Sequence, residues 1–544
     1  MAERNLTRAA RKTQAGSLLA AIAALLIATL LITAPVIAAS GARAETVLRV
    51  TVSGDLTNLD PMMPATTATL IHAMLVYDTL YAQDEQLNAR PQMVGKQEIS
   101  ADRLSFRLTL RSGLSFHDGT KVTTRDVVAS LRRWSPLDVV ARSFAAEQPV
   151  FEIIDDATFA IRLQRPFPVE LALANNGSGM PVIMREKEAL AGPFGKDTEI
   201  IGSGPFRFDR ARWIAGAKEV YPKFANYVPR DEPPNGLAGG KIAKVDAVEV
   251  LNLPDSATKA AALQSGEIDF VDQVPFDQAL ILEHMPNITV ASASTFNPVF
   301  IRPNTLYPPF DDPRARQALA LMIDQTDYMI AAFADPRWGK NCDSFFVCGS
   351  PNGVTDGSEP YRKQDIGLAR MLLAETGYKG EPVVLATSHE VTYVGVIADV
   401  LADNLRRIGV NVDMADSDYG TFSQRRVSKN PPDKGGWNLF AVGSSGSAFG
   451  SPLSNPLTDT TCGGKNYAGW ACDEEAAALR QQWLHEADPD KQREILRQFS
   501  RRLWQVMPAI ILGQRAQLFA WRDNVTGFVR SPSLATVFWN IEKR

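Results

Sequence analysis

The sequence predicts an exported α/β protein with more than one domain, and three observations predict it. From residue 45 onward, stretches with an apolar residue at every second position alternate with stretches where apolar residues recur every three or four. At 544 residues the chain is too long for a single core. Its first 44 residues have the layout of a secretion signal. Arg4, Arg8, Arg11 and Lys12 precede an apolar run from Leu18 to Ala39, and Ala42-Arg43-Ala44 offers an A-x-A cleavage site. Cleavage is expected after Ala44. The alternative is an uncleaved anchor, because the run is long for a signal core. Pro35 and the small residues at 38–44 favour cleavage.

Composition is that of an ordinary globular chain, 45% hydrophobic and 22% charged. Net charge is −4, and removing residues 1–44 leaves 52 basic against 60 acidic residues, a balance of −8. A mildly acidic body argues against nucleic acid as a partner. The four cysteines fall in two local pairs, Cys342 with Cys348 and Cys462 with Cys472. Four cysteines allow three connectivities. In an exported chain the local one is preferred, giving two small closed loops. A zinc site would need tighter spacing, and no histidine sits near either pair.

The elements follow in order. Leu48, Val50 and Val52 alternate with Val47, Arg49 and Thr51, a strand stopped by Asp60-Pro61. Residues 67–80 read as a helix with Leu70, Met74 and Tyr77 on one face. Leu104, Phe106, Leu108 and Leu110 alternate with polar residues in a half-buried strand. Turns at Ser112-Gly113 and His117-Asp118-Gly119 follow. Thr123 or Thr124 then caps a helix with Asp126 in its first turn and Val127, Leu131 and Trp134 on one face. Strands are expected at 157–163 and 244–252, and a short helix at 258–266 that Gly-Glu-Ile-Asp turns into a strand. Residues 299–304 form an apolar strand, and Asp312-Pro313 opens a helix carrying Ala315, Leu319 and Met322. Residues 335–361 are loop-rich. Helices are expected at 365–377 and 394–408, and strands at 410–414 and 437–442. Residues 444–456, rich in Gly, Ser and Pro, must be loop. Residues 473–508 read as helix with a break at Asp488-Pro489, and 509–513 and 536–539 as short strands.

The stretch LRSGLSFHDGTKVTTRDVVASLRR, residues 110–133, resembles the signature of the family 5 solute-binding proteins of ABC importers, the dipeptide- and oligopeptide-binding group. Further resemblances come in the same order along the chain: LDP at 59–61, VYDTLYAQD at 76–84, GSGPFRF at 202–208, LQSGEIDFV at 263–271, YPPFDDPRARQALALMID at 307–324 and ARMLLAETGY at 369–378. The resemblance implies a two-lobed periplasmic binding protein fold (class II, cluster C-like) with a small inserted third domain. It divides the chain into a signal peptide 1–44, lobe I at 45–82, 200–298 and 511–544, the insert at 83–199, and lobe II at 299–510. It also implies a monomeric periplasmic protein that captures a peptide or peptide-like solute in the interlobe cleft and hands it to an ABC permease in the inner membrane. A non-peptide solute (sugar, opine or metal chelate) and a periplasmic hydrolase are the alternatives.

The residues give little support to catalysis. His72, His117, His284, His389 and His485 show no metal-ligand spacing, and no G-x-S-x-G is present. No enzyme activity, metal or cofactor is expected. The cleft candidates centre on the loop Gly443–Pro452, after the strand at 437–442. Peptide-binding relatives commonly carry an acid there for the peptide's amino terminus. This loop has no Asp or Glu, and Ser447 stands at about the acid's place. Ser444, Ser445 and Ser447 are expected to hydrogen-bond the ligand, with Phe449, Tyr393 and Trp437 as apolar contacts. Asn58 and His72 are expected to face the cleft from lobe I. Asp416 or Asp418 could supply the missing acid from another direction.

Overall fold

A computed structural model describes residues 45–63, 66–177, 179–195, 198–292 and 297–544. The secretion signal and its cleavage site therefore lie outside the described residues. Two six-stranded sheets dominate. The first has the order 218–222, 247–251, 47–51, 270–271, 518–522, 288–292. The second has the order 339–340, 510–515, 297–303, 439–443, 383–387, 412–416. A four-stranded antiparallel sheet (94–99, 105–110, 158–162, 150–153) forms a smaller layer within the first half of the chain. The fold is α/β and two-lobed, one large sheet to each lobe.

Strand direction decides what this architecture can do. In the first sheet Val47–Thr51 runs parallel to Ala247–Leu251 and Phe270–Val271. In the second, Val383–Thr387 runs parallel to Val412–Asp416 and Leu439–Gly443. The chain leaves the first sheet after Ser292 and returns at Leu518, and those two residues are register partners. It enters the second sheet at Asn297 and leaves it at Arg515, again register partners. Both crossings thus join the carboxyl ends of one sheet's parallel strands to those of the other. The second sheet holds the chain through Arg515, and Ala516-Gln517 lead back to the first.

Local signals held where they were periodic. Ser105–Leu110 is a strand that buries Phe106, Leu108 and Leu110. Thr124–Trp134 is a helix opened by a capping box, with Thr123 at the cap and Asp126 reaching back to it. Asp312 caps Pro313–Leu321, and Gly266, left-handed at φ 79°, ends Ser256–Ser265. Both expected disulfides are formed, Cys342–Cys348 and Cys462–Cys472.

Other elements differ from expectation. The helix expected over 67–80 stops at Val76, because Asp78-Thr79 pairs with Val182-Ile183 instead. The apolar run at 536–539 is not a strand. Val537, Phe538 and Trp539 are buried by packing, with Phe538 edge-on to Phe270 and Lys241 over the Trp539 ring. Strands Val383–Thr387 and Leu518–Arg522 were not expected; the first is buried on both faces and so shows no alternation. His117 is more than a surface turn. Its Nδ1 accepts from the Gly202 N–H and its Nε2–H donates to the Gly204 carbonyl, which stitches the 110–133 motif to the 202–208 motif. A Cβ at Gly202 would overlap the Val76 carbonyl, so only glycine lets that segment lie against its neighbour. Burial holds the His117 imidazole down at about 4, so the staple is neutral.

Candidate ligand-binding cleft

Open α/β sheets bind ligands at the carboxyl ends of their parallel strands, where loops diverge and backbone groups are free. Here both sheets turn those ends toward the same two crossings. Buried polar atoms without a hydrogen-bond partner gather there. Thr51 Oγ1 and Asp272 Oδ2 stand at the carboxyl end of the first sheet. Thr387 Oγ1, Ser388 Oγ and Ser417 Oγ stand at that of the second. Arg515 Nε, at the end of the second sheet, and Gln517 Oε1, on the crossing between the sheets, complete the set. A buried polar atom left unpaired costs about 1–3 kcal/mol, and a cluster of them marks where a ligand's polar groups complete the structure.

Arg515 is the strongest charge in this group. Its guanidinium lies 4.9 Å over the Tyr393 ring, and it forms no ion pair among the described residues. The Tyr393 hydroxyl accepts from the Gly443 N–H at 3.3 Å. A Cβ on Gly443 would sit 3.0 Å from both Arg515 Nε and Tyr393 Oη, so the glycine makes room for both. Tyr393 is half-buried and also packs against Phe333.

The loop 443–452 is fixed at its root and touches the opposite side at its tip. The Ser444 N–H donates to the Pro298 carbonyl, and the Gly446 N–H to Asn297 Oδ1. Ser445 Oγ and Ser447 Oγ pair at 2.7 Å. Phe449 is buried beneath the loop against Phe300, so it is a core contact rather than a cleft contact. A Cβ on Gly177 would lie 3.4 Å from Ala448, and one on Gly450 would lie 3.0 Å from Leu87. The loop tip therefore closes on the half of the chain that carries the first sheet.

The remaining candidates are placed as follows. Trp437 is fully buried against Phe440 and Trp470, in the second lobe's core. His72 is fully buried among Tyr77, Phe208 and Tyr221, and its Nδ1 is 3.1 Å from the Tyr221 hydroxyl. Burial drives its pKa down to about 3, so it is a neutral core residue. The Asn58 side chain closes its own turn by accepting from the Asp60 N–H. Asp416 pairs with His389, and Asp418 caps the helix Tyr419–Arg426, so both carboxylates are already engaged. Tyr393 and Gly443, next to Ser444, meet Arg515, and the sequence reading missed Arg515 together with Gln517, Asp272 and Thr51 at the end of the first sheet and Thr387, Ser388 and Ser417 at the end of the second. The available signal was positional, since most of these polar residues end or directly follow a short apolar strand.

Three comparisons bear on this geometry. Residues 88–467 match the bacterial extracellular solute-binding proteins, family 5 (middle region). A probable peptide ABC transporter periplasmic-binding protein of Sinorhizobium fredii is 35% identical over 499 residues, covering 90% of this chain and 92% of its own. The glutathione-binding protein of Salmonella typhimurium is 26% identical over 515 residues, covering 92% of this chain and 95% of its own. Among solved structures, the agropinic acid complex of a binding protein from A. tumefacien R10 superposes with TM-score 0.75 at 23% identity, covering 92% of this chain and 99% of its own. The Met-Leu complex of a dipeptide-binding protein from Pseudoalteromonas sp. SM9913 superposes with TM-score 0.73 at 20% identity, covering 92% and 100%.

Proposed function

The chain belongs to the family 5 bacterial extracellular solute-binding proteins, and from that premise we propose that it captures a carboxylate-bearing peptide or peptide-like solute in the cleft between its two sheets. One observation carries this reading: Arg515 is a guanidinium with no acid partner among the described residues, beside a loop that contains no acid. A cation left unpaired at a crossing between lobes fits an anionic group on the ligand. Tyr393 and the hydroxyls of Ser388, Ser417 and Ser444 would surround that group, while Phe449 supports the loop from below. The 35% identical relative is described as a peptide-transport binding protein, which supports the same substrate class.

The remaining features of the proposal follow from the fold and the secretion signal. The protein is exported, cleaved after Ala44, and works in the periplasm as a monomer that delivers its solute to an ABC permease. Lobe I comprises 45–82, 200–292 and 516–544, the insert 83–199, and lobe II 297–515. No helix among the described residues is long and apolar enough to cross a membrane, which agrees with a separate permease. The protein performs no covalent chemistry; it closes because the ligand binds the closed form more tightly than the open one. Calorimetric titration with a dipeptide and with its C-terminal amide tests the reading. The free acid should bind and the amide should bind at least about 10-fold more weakly. Equal binding of both would remove Arg515 from the ligand's carboxylate, and product formation in the same mixtures would make the protein a hydrolase. A non-peptide carboxylate is the second reading, favoured by the acid-free loop and by the superposition on an agropinic acid complex.

A further inference from the structure

Arg515 accounts for one end of the solute, and the carboxyl end of the first sheet holds a second, opposite arrangement. Asp272 directly follows the strand Phe270–Val271 and is fully buried. Its N–H donates to the Thr51 carbonyl at 2.9 Å, which fixes the residue against the first strand. Its Oδ1 accepts from the Thr536 hydroxyl at 2.8 Å and from Gln517 Nε2 at 3.1 Å. Gln517 Nε2 also donates to the Leu534 carbonyl at 2.8 Å. The amide is thereby oriented, and its Oε1 is left without a partner. Asp272 Oδ2 and Thr51 Oγ1 are likewise buried and unpaired. Three oxygen atoms that can accept hydrogen bonds thus lie on neighbouring residues, with the Gln273 N–H as the one further donor that faces the Asp272 carboxylate among the described residues.

Several other buried aspartates in this half of the chain sit against a cation, and Asp126 and Asp138 hold helix starts instead. Asp60 is paired with Arg133. Asp78 is 2.8 Å from Lys241 Nζ, and Asp269 is 2.8 Å from Lys543 Nζ. Asp272 has no cation within ion-pair distance among the described residues; Lys259 and Asp255, on and before the helix Ser256–Ser265, are the charged groups that influence its surroundings. Asp272 neither pairs with a cation among the described residues nor caps a helix, and a buried carboxylate left without a cation is strongly unfavourable.

We infer that Asp272, Gln517 and Thr51 form a lobe I anchor for an ammonium group of the solute, the group that the acid-free loop of lobe II does not hold. An ammonium has three N–H donors and no acceptor, which matches three acceptor oxygens. Arg515 ends the second sheet and Gln517 follows two residues later on the crossing, so their Cα atoms are separated by about 7 Å at most. One short zwitterion can therefore meet both anchors, its carboxylate toward Arg515 and its amine toward Asp272. The solute class that follows is a short peptide or amino-acid derivative with both ends free. This inference rests on the cleft reading given above and adds to it the residue that receives the amine.

The test uses the mature chain and a dipeptide in three forms: free, N-acetylated and C-amidated. On the wild-type protein, N-acetylation should weaken binding about 10- to 100-fold, the range expected for losing hydrogen bonds to a charged group. Asp272→Asn should weaken the free dipeptide by a similar factor, yet bind the N-acetylated form as well as the wild type does. That non-additivity identifies the amine as the partner of Asp272. Full retention of free-dipeptide binding by Asp272→Asn would overturn the inference while leaving Arg515 and the cleft in place. So would losses from acetylation and substitution that simply add. Failure of the wild type to bind any of the three forms would sink both the inference and the peptide reading beneath it. The wild-type comparison of free and acetylated ligand needs no variant, so a folding defect in Asp272→Asn does not blunt the test.

Discussion

Replacing Asp272 by asparagine is expected to stabilise the ligand-free protein at neutral pH. Burial pushes the Asp272 carboxyl up from its ordinary 3.8 to about 6, against the opposing effect of its bonds to Thr536 and Gln517 and of Lys259. For an acid whose folded pKa is raised, the folded state holds its proton more tightly than the unfolded state. The penalty is therefore absent below about pH 4, grows as pH rises to about 6, and is constant above. At about 1.4 kcal/mol for each pH unit, the gap between 3.8 and about 6 is worth about 3 kcal/mol. Asparagine keeps an Oδ1 acceptor for Thr536 and Gln517 but carries no charge. Denaturant unfolding without ligand should show Asp272→Asn more stable than wild type by up to about 3 kcal/mol at pH 7.5, and nearly equal at pH 4. A loss of stability at pH 7.5 would refute the reasoning, because it would mean the carboxylate has an internal cation such as Lys259.

Four further outcomes are expected. Arg515→Met should weaken a carboxylate ligand about 10- to 100-fold in calorimetry, and amidation of that ligand should cost the variant nothing more. Gly177→Val should push Ala448 away at the loop tip, so small-angle X-ray scattering should show reduced ligand-induced compaction, with the unliganded profile unchanged. Arg302 is fully buried and donates to the carbonyls of Ala468, Leu457, Pro508 and Tyr467, so Arg302→Met should cost about 1–3 kcal/mol in denaturant unfolding by stranding those acceptors. Replacing Cys342 and Cys348 by serine should cost about 2 kcal/mol, the closure entropy of so short a loop. It should also weaken binding, because the Cys348 N–H holds Gln514 next to Arg515.

Periodicity and end signals carried much of the local structure. The alternation at 104–110, the Thr123/Asp126 cap and the Gly266 stop are each written within a few residues, and each formed as read. Phe449 shows where such reading runs out. A phenylalanine in a Gly/Ser loop looks like a ligand contact, yet the loop folds back and lays the ring on Phe300, 149 positions earlier in the chain. His72 fails for the same reason: its neighbours Phe208 and Tyr221 are contributed by distant segments.

By itself the sequence determined the strand–helix alternation, the two local disulfides and the family, because each is encoded in residues close together along the chain. Only the tertiary structure brought the candidate site residues together. Asp272 meets Gln517 and Thr536, 245 and 264 positions away, and Arg515 meets Tyr393 and Gly443. Those meetings depend on two crossings that bring the carboxyl ends of both sheets together. Spacing along a strand reports which face a residue takes; it carries no information about which distant residue will lie opposite. For that reason the acid-free loop could be seen in the sequence, while an arginine and an aspartate that form no ion pair among the described residues could not.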